Sequence, residues 1–143
     1  MEKIPSFQKN HDKLAVGLHA QTDAHGITTF DLRFKKPNAG DYITPKALHT
    51  VEHLMATVLR NSSEKENIVY FGPMGCRTGF YLLTRNLNYE HVLELLKESI
   101  ALALTLDEIP GSKREECGNY LEHDLADAKR ELRKYLQILM SLG

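Results

Sequence analysis

The sequence predicts an α+β fold in which helices pack on an antiparallel sheet. Apolar residues alternate with other residues in two segments that flank the turn sequence Asp23–Gly26, which is typical of paired strands. Three longer segments repeat apolar residues at helical spacing, without the regular strand–helix alternation of a parallel sheet. With 143 residues, 42% of them hydrophobic, the chain predicts a single domain over residues 1–143 with one core.

Four segments have the pattern of strands. Residues 14–20 and 30–34 are predicted to pair as an antiparallel hairpin across the turn. Both strands of this hairpin are expected to be half-buried, so that Asp31, Arg33 and Lys35 face away from the core. Residues 68–71 and 80–83 are predicted to form a second pair on either side of a glycine-rich link.

Three helices are predicted from capping residues and periodicity. Thr44 precedes a proline and caps a helix over residues 45–60, because proline suits the first turn of a helix. Asn88 caps a helix over about 89–106. The last helix is predicted over about 120–142. It repeats apolar residues at helical spacing, namely Leu121, Leu125, Ala128, Leu132, Tyr135 and Leu139.

Composition and charge exclude several classes of partner. Eighteen basic residues against nineteen acidic ones give a net charge of -1, so no broad field attracts nucleic acid or an anionic membrane. No segment could span a bilayer, and residues 1–10 lack a secretory pattern, which predicts a cytoplasmic protein. In such a reducing compartment Cys76 and Cys117 favour thiol chemistry or metal binding, with a disulfide as the alternative.

One face of the helix over residues 45–60 carries the residues with the clearest chemistry. His49, Glu52 and His53 fall on a polar stripe beside the apolar one at about 100° per residue. Two imidazoles at i and i+4 can bind one cation, and a neighbouring carboxylate can act as a base. The motif matches the inverted zincin signature His-x-x-Glu-His. The alternative is an exposed polar face without chemistry.

Two cysteines can complete this site. A catalytic metal needs three protein ligands and an open position, and Cys117 is the best third ligand because the predicted last helix starts beside it and favours a thiolate. A buried inert thiol is the alternative for Cys117. Cys76 lies in a glycine-rich segment that exposes its thiol, and the neighbouring Arg77 favours the thiolate there. Cys76 is therefore a candidate acid/base group or nucleophile.

Five blocks of sequence, in order and spread over residues 6–120, resemble the S-ribosylhomocysteine lyases of the LuxS family. They are Ser6-Phe7 with His11, Phe30–Phe34 with Pro37-Asn38, His49–Leu54, Pro73–Tyr81 and Cys117–Tyr120. The chain differs from the family at Asn10, where an aspartate is usual, and over residues 16–20, where the family has a proline.

The resemblance implies a homodimeric enzyme that cleaves the small molecule S-ribosylhomocysteine to homocysteine and 4,5-dihydroxy-2,3-pentanedione, the precursor of autoinducer-2. The implied role is quorum-sensing signal synthesis or methyl-cycle detoxification, and the sequence leaves the choice between them open. Ferrous iron is the implied metal, and a thiolate ligand is also compatible with zinc or cobalt. The resemblance assigns metal binding to His49, His53 and Cys117, proton transfer to Glu52 and Cys76, and substrate binding across the dimer interface to Ser6, His11 and Arg33.

Two other functions fit the helix motif. An inverzincin-like peptidase would use Glu52 to activate a metal-bound water, but it gives no reason for Cys117 or for the Cys76 segment. A metal sensor or structural zinc module would combine His49 and His53 with both cysteines in a closed four-ligand site. Two thiolate ligands on the metal would indicate the closed module, whereas a Cys76→Ala variant that keeps its metal and loses turnover would indicate the lyase.

Overall fold

The computed structural model describes residues 1–143 and contains a four-stranded sheet in the order β1-β2-β4-β3. All neighbouring strands are antiparallel, which confirms the predicted α+β class and both predicted strand pairs. The strands are β1 Gly17–Thr22, β2 Ile27–Arg33, β3 Ile68–Pro73 and β4 Gly79–Arg85. In the turn between β1 and β2, the carboxylate of Asp23 accepts hydrogen bonds from the backbone N–H groups of His25 and Ile27.

Four helices and one 3₁₀ turn complete the fold. They are α1 Pro5–Gln8, α2 Pro45–Arg60, the 3₁₀ turn Lys65–Asn67, α3 Tyr89–Ala103 and α4 Leu125–Ser141. The predicted caps are confirmed, because Thr44 accepts from the Ala47 N–H at 3.2 Å and Asn88 accepts from the His91 N–H at 2.8 Å. The short helix α1 has no counterpart among the predicted elements.

The predicted start of the last helix is wrong. The helix begins at Leu125, where the Asp124 side chain caps it by accepting from the Asp127 N–H at 2.9 Å. Leu121 of the expected apolar stripe lies outside the helix and is 74% exposed. The backbone of Glu122 and Asp124 is hydrogen-bonded to side chains of α2, and these tertiary contacts replace helical bonds. Residues 104–124 consequently form a long segment of turns.

The first strand also starts later than predicted. It begins at Gly17, whose φ of 140° is a backbone conformation that residues with a side chain rarely adopt. Of the residues predicted to alternate inward, Leu18 is buried whereas Val16 is exposed. The alternation over residues 14–20 is therefore only partly a strand pattern.

Strand β2 is buried on both faces, contrary to the half-buried prediction. Phe30 and Leu32 point into the core, while Asp31 and Arg33 on the opposite face are each only 1% exposed. Lys35, just beyond the strand, is also buried. These charged groups can be buried because each has an oppositely charged partner: Arg33 binds Asp31, and Lys35 binds Glu131 of α4.

The core lies between one face of the sheet and the helices α2, α3 and α4. Phe80 and Leu82 of β4 and Val51 and Leu54 of α2 belong to one cluster of 26 buried apolar residues. Packing this face of α2 inward leaves its polar stripe at the edge of the core. None of the helices is long and apolar enough to cross a membrane.

Candidate metal centre and substrate cavity

Helix α2 places His49 and His53 one turn apart, and both rings are oriented by backbone carbonyls of the segment 104–124. The Nδ1 atom of His49 lies 2.8 Å from the carbonyl oxygen of Glu122, and that of His53 lies 2.9 Å from the carbonyl oxygen of Pro110. Because a carbonyl only accepts, each Nδ1 carries the proton and each Nε2 keeps its lone pair. Two nitrogens are thereby prepared to bind a metal.

Cys117 supplies a sulfur atom to the same point. Its Sγ lies 3.4 Å from the Nε2 of His49 and 3.9 Å from the Nε2 of His53. In a tetrahedral site with ordinary metal–nitrogen and metal–sulfur bonds, the sulfur-to-nitrogen distance is about 3.6 Å. Both distances are close to this value, so the three atoms fit one divalent ion. The three ligands named from the sequence are therefore brought together, although 64 residues separate His53 from Cys117.

The explanation given for Cys117 is nevertheless wrong in one respect. Cys117 lies within the turns of residues 104–124, and the last helix starts only at Leu125. A helix N-terminus therefore does not favour its thiolate. The contacts of residues 110 and 122 with α2 position Cys117 instead, because they hold both ends of its segment against the helix that carries the histidines.

A fourth residue, His123, joins this group and was missed in the sequence. Donor atoms of His49, His53, Cys117 and His123 all lie within 4.8 Å of one another, and these four residues could hold a metal ion. The ring of His123 stacks on that of His49 with centroids 4.0 Å apart. The spacing Cys-x₅-His between Cys117 and His123 was the one available signal in the sequence.

Burial first, and then the neighbouring imidazoles of His49 and His53, lower the pKa of His123 from 6.5 to about 4. His123 is therefore neutral at pH 7. Its Nδ1 is 2.9 Å from the hydroxyl of Thr50, a fully buried residue of α2. The hydroxyl of Thr50 also accepts from the backbone N–H of Asp124 at 2.9 Å.

Glu52 lies between the two histidines on the exposed side of α2 and is partly buried. Its carboxylate takes part in none of the hydrogen bonds or ion pairs of the chain, unlike the buried acids Asp31 and Glu131. An acid/base group must be free to exchange a proton with a ligand. Glu52 has this freedom, and it lies three residues from His49 and one from His53.

The other residues named from the sequence line a separate cavity of about 380 Å³ on the opposite face of the sheet. Its walls contain all four of them, Ser6, His11, Arg33 and Cys76, together with Phe7, Pro73, Met74, Gly75 and Tyr81. The Cys76 side chain is exposed, and its Sγ lies 3.0 Å from the hydroxyl of Thr78. Both cysteines are free thiols, so the disulfide alternative is wrong.

Arg33 is held rigidly at the floor of this cavity. Its Nε and Nη2 donate to the two carboxylate oxygens of Asp31 at 3.0 and 2.6 Å, and its Nη1 donates to the Thr78 hydroxyl at 2.8 Å. A guanidinium has five N–H groups, and these bonds use three of them. Two N–H groups are not used by these bonds, although the side chain is only 1% exposed.

The two groups of residues have no member in common. None of the residues lining the cavity belongs to the four-residue cluster, and Cys76 is not a member of that cluster. The closed four-ligand site that would include Cys76 is therefore not formed within the chain. The fold and the cluster define this protein as an α+β protein with a four-residue group that could bind a metal and a separate thiol-containing cavity.

Comparison with known proteins gives the family. Residues 4–142 match the family model described as S-Ribosylhomocysteinase (LuxS). The chain is 46% identical to the S-ribosylhomocysteine lyase of Borreliella afzelii, over 99% of this chain and 95% of that protein. It is 44% identical to the enzyme of that name from Phocaeicola vulgatus, over 95% of this chain and 89% of the relative. The chain belongs to the LuxS family, which confirms the resemblance drawn from the sequence.

Proposed function

We propose that this protein is a metal-dependent S-ribosylhomocysteine lyase whose active sites form between two copies of the chain. Family membership over nearly the whole chain makes it a carbon–sulfur lyase that releases homocysteine and 4,5-dihydroxy-2,3-pentanedione. A site formed between two copies is supported by one observation, the separation of the metal centre from the cavity that contains Cys76. In this proposal the metal centre and the Cys76 thiol act on the same substrate molecule.

The chemistry explains this need. The thioether is attached to C5 of the sugar, and it can leave by β-elimination only when a carbonyl stands at C3 and a proton is lost from C4. The sugar carbonyl starts at C1 and must move twice, and each move takes a proton from one carbon and returns one to its neighbour. Two acid/base groups are therefore required, and a bound divalent ion supplies Lewis-acid polarisation of the sugar oxygens.

Glu52 and Cys76 are proposed as these two groups. Glu52 stands beside the metal ligands with a carboxylate that has no partner in the chain, so it can take and return protons there. Cys76 offers an exposed thiol in the cavity, next to the Thr78 hydroxyl. Acid/base groups on two separate surfaces can act on opposite sides of a substrate enclosed between them.

Ser6, His11 and Arg33 are proposed to bind the substrate. All three line the cavity of Cys76, and the free N–H groups of Arg33 can donate to sugar hydroxyls or to a carboxylate. The bond to Asp31 fixes the orientation of the guanidinium before substrate arrives. Such preorganisation reduces the entropic cost of substrate binding.

The homodimer is supported by exposed apolar residues next to the cavity of Cys76 and next to the metal centre. Phe7, at the cavity, is 67% exposed. Leu121, four residues from Cys117, is 74% exposed, and Tyr120 is 37% exposed. Contiguous exposed apolar patches mark interaction surfaces, and we propose that these residues belong to surfaces that a second copy covers. A second copy that places its cavity over the metal centre would cover both and complete two equivalent sites.

The metal is proposed to be Fe(II), with Zn(II) or Co(II) as alternatives. Two imidazoles and one thiolate suit all three ions, and three protein ligands leave a position for substrate. Two free thiols also favour a reducing compartment, so we propose a cytoplasmic location. The product then serves as the precursor of the quorum-sensing signal autoinducer-2, while homocysteine returns to the methyl cycle.

The lyase activity is tested by incubating reduced, metal-loaded protein with S-ribosylhomocysteine and detecting homocysteine with a thiol reagent. Release of homocysteine at a rate that rises with protein concentration supports the proposal. Absence of release from iron-loaded, zinc-loaded and cobalt-loaded protein alike would refute it.

The composite site is tested by mixing two inactive variants. Cys76→Ala and Glu52→Gln each lose turnover but keep their metal. When the two are co-expressed and assemble at random, a composite site predicts about a quarter of wild-type activity, since each mixed dimer regains one intact site. The control pair, Cys76→Ala with Cys76→Ser, stays inactive. If the first pair stays inactive as well although mixed dimers form, each site belongs to one chain.

A further inference from the structure

One nitrogen atom of the metal centre has no role in the proposed function. The Nε2 of His123 is buried and has no hydrogen-bond partner, although it belongs to a ring in the cluster with His49, His53 and Cys117. A buried N–H or nitrogen lone pair without a partner is unfavourable because it has lost the hydrogen bond that water would provide. Such a group in a functional centre requires an explanation.

The tautomer of His123 follows from its neighbour Thr50. The Thr50 Oγ1 accepts the backbone N–H of Asp124, and its other contact is the Nδ1 of His123 at 2.9 Å. The hydroxyl proton of Thr50 therefore has one available acceptor, which is this Nδ1. Since Nδ1 accepts, the proton of the neutral His123 ring is on Nε2.

This tautomer is opposite to that of the two histidines on α2. His49 and His53 face carbonyl oxygens with Nδ1, so that their Nε2 lone pairs are available to a metal. His123 faces a hydroxyl that donates, so that its Nε2 presents an N–H and no lone pair. An N–H cannot bind a metal ion. The four-residue cluster thus contains three candidate ligands and one hydrogen-bond donor, so a metal held by His49, His53 and Cys117 would keep one position for a further ligand.

We propose that His123 is a further catalytic residue, whose Nε2–H donates a hydrogen bond to the substrate oxygen that enters the open corner of the metal centre. This inference rests on the proposed lyase function. Negative charge develops on the sugar oxygens each time the carbonyl moves, and a fixed donor aimed at such an oxygen lowers the barrier. The stacking of His123 on His49 and its bond to Thr50 fix the donor before substrate binds.

The tautomer and the ligand count can be measured without turnover. In zinc-loaded wild-type protein, ¹⁵N NMR of the histidine rings is expected to show the proton of His123 on Nε2. X-ray absorption at the zinc edge is expected to show two imidazoles and one sulfur. A proton on Nδ1 of His123, or three imidazoles on the metal, would overturn the proposal because His123 would then be a ligand.

Two variants test the donor itself. His123→Phe keeps a stacked ring without the N–H, and His123→Gln keeps a donor. We expect both to retain zinc within about tenfold of wild-type affinity, whereas His53→Ala loses it. The kcat of His123→Phe should fall about 100-fold with little change in KM, and His123→Gln should recover about tenfold of this loss. Equal kcat for His123→Phe and the wild type would leave the ring a packing role and refute the proposal.

The failure of the proposed function is distinguishable in the same experiments. Wild-type protein that releases no homocysteine refutes the lyase function, while the NMR and absorption data still decide whether His123 is a donor or a ligand. An active wild type with three imidazoles on its metal refutes only the role of His123.

Discussion

Replacing Arg33 by Met should lower the free energy of unfolding as well as activity, and a second substitution at Asp31 should distinguish the two effects. Methionine keeps much of the aliphatic stem but removes both bonds to Asp31 and the bond to Thr78. Asp31 is 1% exposed, and breaking a buried ion pair from one side costs about 3–5 kcal/mol because the remaining charge is unpaired. Lys9 still lies 3.0 Å from Asp31, so we expect the lower end, about 3 kcal/mol.

Urea denaturation followed by circular dichroism measures this cost, and the melting temperature should fall by about 6–12 °C. The matched control is Lys9→Met, which removes the more exposed partner of Asp31 and should cost about 1 kcal/mol or less. Adding Asp31→Leu to Arg33→Met should restore much of the stability, since the unpaired charge is gone, but it should not restore activity. If Arg33→Met is no more destabilising than Lys9→Met, the reasoning about the buried pair is wrong.

Three further perturbations concern the metal centre. Thr50→Val leaves the Asp124 N–H without its acceptor and should cost about 1–3 kcal/mol of stability. Metal binding measured by competition with a chelator should also weaken. An unchanged metal affinity would contradict the structural role of this bond. Removing the metal with a chelator should accelerate amide exchange in residues 104–124 more than in α3, because the ion ties that segment to α2; equal acceleration would count against this tie. The metal-free protein should lose stability as the pH falls from 6.5 to about 4, since His123 gains a proton in the unfolded chain before it does in the folded one. The loss should stay below about 3 kcal/mol because the ring is partly solvated. If His123→Gln and the unsubstituted protein show the same dependence of stability on pH in urea titrations, His123 is not the group responsible.

The features predicted well from the sequence are those that depend on neighbours in the chain. The caps at Thr44 and Asn88 and the turn at Asp23 each involve hydrogen bonds across four residues or fewer. The shared face of His49 and His53 follows from the helical period alone. Strand pairing was predictable for the same reason, since the turn places the strands next to each other.

The errors arose where distant contacts override the local pattern. The residues before Leu125 have a helical apolar period, but the bonds of Glu122 and Asp124 with α2 keep them out of the helix. Asp31 and Arg33 have the alternation of a solvated strand face, but both are buried as an ion pair. Arg33 also binds Thr78 and Asp31 also binds Lys9, which lie 45 and 22 residues away along the chain. The contacts with α2, Thr78 and Lys9 have no signature in a short window of sequence.

The sequence by itself determined the family, the ligand-bearing face of α2 and the identity of the residues that carry the chemistry, because these are properties of residue types and of short spacings. Only the tertiary structure decided how those residues are grouped. It brings Cys117 to the histidines of α2, adds His123 with an N–H directed by Thr50, and keeps Cys76 with Arg33 in a separate cavity. The physical reason is that segments far apart in the chain come together through the packing of the whole core.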